Sequence, residues 1–446
     1  MLSSNYNDTI VGKNYLSLIY GTLRILKNKN NVLIVDEPDA FMGNHWYQNI
    51  GEIEKLVFEK IGKKYNLNSI QKMSNYLKPI NTIILLNEKM VELGSSPFAN
   101  IREMARKLPE CFPREILEHL NSIGPDEFDN ICFEFFDNMA ENVFINQTDK
   151  SFYSSNINLI RIFDDFLTFI NKPGVLTEQL HYVLQVLFQT FFSNGKNDNE
   201  SRYLLTSILS PRYEVDEQGL LDDLQFEFRN LGGDIITTNI SDWEIYDSSL
   251  KYIMLDSLDG VIGFDNLFMF CRVPKKAPFT RKDTHMEFNS INLKCPIDHD
   301  IINFYKNKRI LFSKDDRIGT DFPHFEISID DDGILNGTYS YANHIGTKSS
   351  FYYKKVTEDI FKNLAQILPG LEKDDWAHQI TFSDGGDFWT ENLSSKQIIT
   401  KSTKHNDLLY QLEDNTKISN LYYCGPNRTK IMGLYSYTWD LLNTLN

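Results

Sequence analysis

Apolar positions along this chain change their period several times, and each change predicts an element. Residues 8–11 are a short, largely apolar run that stops at Gly12. Over 15–27, Leu16, Ile19, Tyr20, Leu23 and Leu26 fall at helical spacing. The polar "NKNN" breaks that pattern, and "VLIV" at 32–35 is a continuous apolar run of the kind a parallel strand buried on both faces carries. The order strand, tight turn, helix, strand predicts a right-handed crossover. "GEIEKLVFEKIGKKY" (51–65) reads as a further helix.

From 66 to 205 the pattern is mixed and then mostly helical, with "NINLIRIFDDFLTFIN" and "TEQLHYVLQVLFQTFF" as apolar-striped segments whose first explanation is helix packing. The polar "SNGKNDNES" (193–201) marks a seam. From 214 the pattern predicts a helix, a Gly-Gly turn and three short strands. Between 266 and 350 alternation with many turns predicts antiparallel sheet. "SIDDDGILNG" lacks the register and terminal Glu of a calcium loop and reads as a hairpin turn, and "SDGGDFW" (383–389) also reads as a turn. "VTEDIFKNLAQILPG" is an amphipathic helix ended by Pro369-Gly370, and the C-terminal stretch from 418 gives strand, glycine turn and final helix.

The 446 residues exceed what one core usually holds, so more than one structural unit is expected. Forty-five basic against sixty-one acidic side chains give a net charge of −16, which disfavours nucleic acid and anionic membrane surfaces as partners. The opening "MLSSNYND" has neither the basic nor the apolar region of a leader, and no run is long and apolar enough for a transmembrane segment. Five scattered cysteines without a C-x-x-C pair point to reduced thiols, and the expected location is cytoplasmic.

Three separated segments carry the chemistry: residues 8–44, "LGGDIITTNISDWEI" (231–245) and "NLYYCGPNRTKIMGLYSYTWDLL" (420–442). In order and spacing they resemble the flavin-binding domain of the amine oxidase and phytoene desaturase superfamily, whose wider relatives include the Rab GDP-dissociation inhibitors. The resemblance implies an α/β fold with a Rossmann-like FAD/NAD(P)-binding domain and a mixed substrate domain of antiparallel sheet plus helices. It divides the chain into a discontinuous binding domain (1–65, 205–265 and 405–446), a mainly helical part (66–204) and a sheet-and-helix part (266–404).

In a dinucleotide-binding turn the first glycine makes the turn, the second lets the backbone approach the pyrophosphate, and the third allows close packing of helix and strand. Those positions read Gly12, Asn14 and Ser17. Asn14 tolerates a left-handed backbone but adds a side chain where phosphate should come close; Ser17 is small enough to keep the packing. Asp36, closing the second strand, is the expected ribose acceptor, with Glu37 its alternate by one residue. The resemblance puts Gly43 and Asn44 beside the pyrophosphate, Ile240 at the backbone contact to adenine, and Gly425 and Gly433 at the flavin's ribityl and pyrimidine side. Asn44 stands where the superfamily has arginine, and Pro426 where it often has an acid. His45 and Trp46 could face flavin or substrate, or be structural; Tyr423 and Tyr435, with Tyr422 and Tyr437, could build a cage for an amine or fill the core.

Two functions follow from the resemblance, beside a third option of an enzyme that uses the cleft without a redox cofactor. One is an FAD-dependent oxidoreductase that removes a hydride from a C–N or C–C bond of a small-molecule substrate, with the non-covalent flavin doing the chemistry and no universal catalytic side chain. The other is a non-catalytic binding or chaperone protein on the same scaffold that has lost FAD. The replacements at Asn14, Asn44 and Pro426 belong to the second, and Gly12, Asp36, Gly425 and Gly433 to the first. No P-loop, H-E-x-x-H or G-x-S-x-G motif and no trusted histidine metal spacing is present.

Overall fold

The structure, a computed structural model, describes residues 5–38, 49–86, 89–109, 114–144, 156–170, 205–206, 208–247, 249–257, 261–271, 277, 285–296, 305–313, 324–329, 332–342, 381–391 and 418–423. The chain opens with β1 (Asn5–Val11), α1 (Tyr15–Asn28) and β2 (Val32–Asp36), followed by β3 (Asn49–Gly51), α2 (Glu52–Tyr65) and the one-turn α3 (Asn68–Gln71). Next come β4 (Leu77–Pro79), β5 (Asn81–Leu86), β6 (Lys89–Leu93) and four helices: α4 (Pro97–Lys107), α5 (Arg114–Ile123), α6 (Pro125–Phe144) and α7 (Ile157–Ile170). A short β7 (Arg212–Val215) leads into α8 (Glu217–Asn230), β8 (Asp234–Thr237), β9 (Ile240–Tyr246), β10 (Ser249–Leu255) and β11 (Val261–Met269). The remainder is β12 (His285–Pro296), β13 (Lys308–Ser313), β14 (His324–Ile329), β15 (Ile334–Ala342), β16 (Thr381–Glu391) and β17 (Leu421–Tyr423).

The first sheet runs β8-β2-β1-β11-β10-β9. Its left half is parallel: β1 lies between β2 and β11, and β8 extends the sheet beyond β2. The far edge of β11 is shared. Its first residues pair antiparallel with β10 and its last pair parallel with β17, so strands from three distant stretches of sequence meet on one strand. Because the chain leaves β1 toward β2 on one side and returns as β11 on the other, the carboxyl ends of β1 and β11 form a switch point, the usual place for a crevice in an open α/β sheet.

The predicted crossover helix is α1, and its apolar stripe packs on this sheet, with Leu16, Ile19, Tyr20 and Leu23 fully buried. Gly21 is what lets α1 come so close: a Cβ there would lie 2.9 Å from the Phe228 ring of α8 and 3.2 Å from Ile10. The predicted helix over 51–65 is α2, whose Val57, Phe58 and Ile61 are buried. Burial of several such large side chains contributes about 1.5–3 kcal/mol each.

A second sheet, β16-β12-β15-β14-β13-β5-β6, is antiparallel except between β13 and β5. β14 and β15, which contain the two ends of "SIDDDGILNG", pair antiparallel as expected, with Gly333 at φ 77°; residues 330–331 lie outside the described residues. "SDGGDFW" is not a turn: it lies within β16, and the pairing with β12 skips Gly385 and Gly386 at a register shift between Asn289 and Ile291. A glycine pair inside a strand is tolerated where a bulge removes it from the ladder. The predicted helices over 177–192, 356–370 and the final stretch lie outside the described residues.

Candidate functional site

The switch point brings together Gly12, Lys13, Asn14 and Ser17 from the β1–α1 turn, Asp36 and Glu37 from the end of β2, Thr237 and Ile240 from the second of the three segments, and Phe270 and Cys271 after β11. Gly12 has φ 99°, a conformation L side chains avoid, and an added Cβ would stand 2.7 Å from Cys271 Cβ and 3.0 Å from the Phe270 carbonyl. Its N–H donates to Val35 at 2.9 Å, and Phe270 N–H donates to Val11 at 2.8 Å, so the turn is pinned to both neighbouring strands. No other residue type fits at position 12 without moving the turn.

Asn14 differs from its sequence-based expectation. Its backbone is extended (φ −152°), so position 14 requires no glycine for its conformation. Its role lies in the side chain, which is buried. The carboxamide oxygen accepts from Ser17 N–H at 2.9 Å, the Asn14 N–H donates to Ser17 Oγ at 2.9 Å, and the Asn14 Nδ2 donates to the Phe270 carbonyl at 3.2 Å. The first two bonds form a reciprocal capping box. The third ties the start of α1 to the end of β11 across the switch point.

The acids after β2 are engaged as well. Asp36 Oδ2 is 2.7 Å from Lys13 Nζ, both side chains being about a quarter exposed, and it accepts from Thr237 Oγ1 at 3.1 Å. Glu37 is buried, and its Oε1 accepts from the Ile240 N–H at 3.4 Å, across from β2 to β9. Burial, and then the neighbouring charge of Glu37, hold the Cys271 thiol well above its ordinary range, so it stands as a neutral packing group beneath Gly12.

The turn rests on a second cluster, built around the fully buried Asp8. The Asp8 carboxylate pairs with Arg24 Nε at 2.7 Å and accepts from Arg24 Nη2 and from Asn266 Nδ2 at 3.0 Å each, with Asn30 Nδ2 as a further donor. Burial alone would lower the Arg24 pKa; the hydrogen bond to Asp8 raises it above its usual value. Arg24 also lies over the Phe268 ring, 5.4 Å from its centroid. β1, α1 and β11 are thereby locked in one arrangement behind the turn.

The groups that a dinucleotide would use already have partners in this structure. The pyrophosphate would come nearest the N-terminus of α1, where the Asn14 carboxamide already occupies the Ser17 N–H and spans to Phe270. The ribose would need Asp36, already held by Lys13 and Thr237, and the adenine would need the Ile240 backbone, already donating to Glu37. Tyr423 lies in β17, paired to Met269. Gly43, Asn44, His45, Trp46, Gly425, Gly433 and Tyr435 lie outside the described residues. Sequence reasoning missed Lys13 and Gly21. Gly21 left a signal, a small residue one helical turn beyond Ser17. Lys13 left none, because its partner is reached only through the sheet.

No protein-family model and no curated protein matches this sequence. In structure the chain is similar to a Rab GDI from Plasmodium falciparum, at 14% identity and a TM-score of 0.50, over 99% of this chain and 97% of that one. A tryptophan 6-halogenase from Streptomyces toxytricini (11% identity, TM-score 0.45, 99% of this chain and 71% of that one) and an L-proline dehydrogenase from P. horikoshii (9%, 0.44, 99% and 92%) overlap with it less. The likeness to the Rab GDI establishes a shared fold, an α/β architecture built on a Rossmann-like sheet.

Proposed function

We propose that this protein is a non-catalytic binding protein of the GDP-dissociation-inhibitor type, in which the dinucleotide-type turn is a structural joint. The observation that carries this reading is the Asn14 carboxamide. It caps α1 and bonds to the Phe270 carbonyl at the helix N-terminus that a dinucleotide's phosphates would approach. Displacing it would leave buried polar groups on α1 and β11 unpaired, at about 1–3 kcal/mol each. The Lys13–Asp36 pair and the Glu37–Ile240 bond support the same reading. The match in length to a Rab GDI makes a Rab-type GTPase loaded with GDP the first partner to try.

The test has two measurements on the purified full chain. Added FAD in excess is expected to leave flavin fluorescence unquenched, and the chain is expected to slow release of a fluorescent GDP analogue from a Rab-type GTPase. Purification with bound flavin, or saturable quenching of added FAD, overturns the reading.

A second reading is favoured by one specific feature, the combination of Gly12 in its left-handed turn with an acid at the end of β2 beside the switch point. On it, the Lys13–Asp36 pair opens to admit FAD, and the protein is an oxidoreductase acting on a small molecule. FAD uptake abolished by Asp36→Ala is the outcome specific to that reading.

A further inference from the structure

β9, β10 and the start of β11 form an antiparallel meander with two unlike faces. Trp243, Ile253 and Ile262 stand opposite one another on the buried face. On the other face one cross-strand row is Asp242, Met254 and Val261, and the next is Glu244, Tyr252 and Gly263. Tyr246 continues that face two residues beyond Glu244. Tyr252 packs across Gly263, its ring carbon 3.3 Å from where a Cβ would be, so the ring is braced from beneath. The large apolar groups are nonetheless exposed: Tyr246 65%, Met254 44%, Tyr252 42% and Val261 38%. Among the described residues neither Asp242 nor Glu244 forms an ion pair. Asp242 takes only the Trp243 N–H, at 2.8 Å. Lys251, in the bulge between Leu250 and Tyr252, is the single cation on the three strands.

We propose that this face is the docking site for a basic, extended segment of a partner protein, whose Lys or Arg side chains meet Asp242 and Glu244 and stack on Tyr246 and Tyr252 while its apolar residues cover Met254 and Val261. Charge decides the occupant. Two carboxylates beside two aromatic rings attract a cation through both its charge and the ring faces. They repel an anionic membrane surface. They also oppose a second copy of this chain: pairing two β9 edges about Trp243 would set Asp242 of one copy against Glu244 of the other, and like charges directly opposite are destabilising. The proposal rests on this face alone and is independent of what the switch point holds.

The test uses the full chain and a fluorescein-labelled peptide alternating Lys with Val, read by anisotropy, with the same peptide carrying Glu for Lys as its control. Asp242→Asn/Glu244→Gln, both at exposed sites, is expected to weaken the Lys peptide about three- to tenfold. The charge-matched Asp126→Asn/Glu127→Gln at the start of α6 is expected to leave it unchanged. Tyr252→Phe is expected to retain binding and Tyr252→Ala to lose it, with thermal melting showing that both are folded. Equal weakening by the two double variants, equal affinity for the Glu peptide, or no binding of the Lys peptide overturns the proposal. So does self-association in sedimentation that Asp242→Asn/Glu244→Gln strengthens, which assigns the face to a second copy.

Discussion

Asn14 works through its donor as much as its acceptor, and the two can be separated by substitution. As a helix cap alone, Asp serves about as well as Asn. Asn14→Asp, however, replaces the Nδ2 donor to Phe270 with a carboxylate facing a carbonyl. It is therefore expected to destabilise the protein by more than the ~1 kcal/mol of losing a cap, and more than Asn14→Ala, in urea unfolding. Equal stability of Asn14→Asp and wild type would show that the bond across the switch point contributes nothing. Gly12→Ala meets both a φ of 99° and a 2.7 Å contact with Cys271. A loss of about 2–4 kcal/mol is expected, and a midpoint within error of wild type would contradict the packing described. Asp8→Asn leaves Arg24 without its counter-charge behind the turn, at about 3 kcal/mol by the same measurement.

At the scale of elements, α1 is fixed at both ends and along its packed face. Asn14 caps its start, Lys29 ends it in the left-handed conformation with its N–H on the Ile25 carbonyl, and Gly21 seats it against Phe228 and Ile10. The cysteines of two other elements test how closed the packing is. Cys132 on α6 and Cys271 after β11 are buried, and burial pushes both thiols well above their usual range, with Asp129 and Glu37 adding to it. Iodoacetamide at neutral pH is expected to modify neither in the folded protein and both in urea, read by peptide mass mapping. Native labelling at Cys271 would mean that the turn opens to solvent. "SDGGDFW" shows where local pattern misleads at this scale: a Gly-Gly pair between polar residues reads as a turn, yet pairing with β12 on one side and a bulge at the glycines makes it strand.

For the whole molecule, the first sheet gathers strands from residues 5–36, 234–269 and 421–423, and that gathering is what creates the candidate site. Much of it was legible beforehand. The 3.6-residue stripe of α1 and the unbroken apolar run of β2 announce their own structure, because a helix or a doubly buried strand must present one kind of surface to its neighbours. Gly12 was legible for the same kind of local reason, since a sharp turn after a strand needs a residue free of Cβ strain. The partners of the site residues were not. Asp36 looked like a free ribose acceptor until the fold brought Lys13 and Thr237 to it, and Ile240 looked like an available backbone until Glu37 reached it. By itself, then, the sequence determined β1, α1, β2, the turn at Gly12 and the chemistry each residue could offer, all of which depend on neighbours a few positions away. Only the tertiary structure decided which of those groups satisfy one another, because hydrogen bonds between segments some 200 residues apart, like the Lys13–Asp36 pair between neighbouring strand ends, are set by sheet order and register, and no local pattern encodes them.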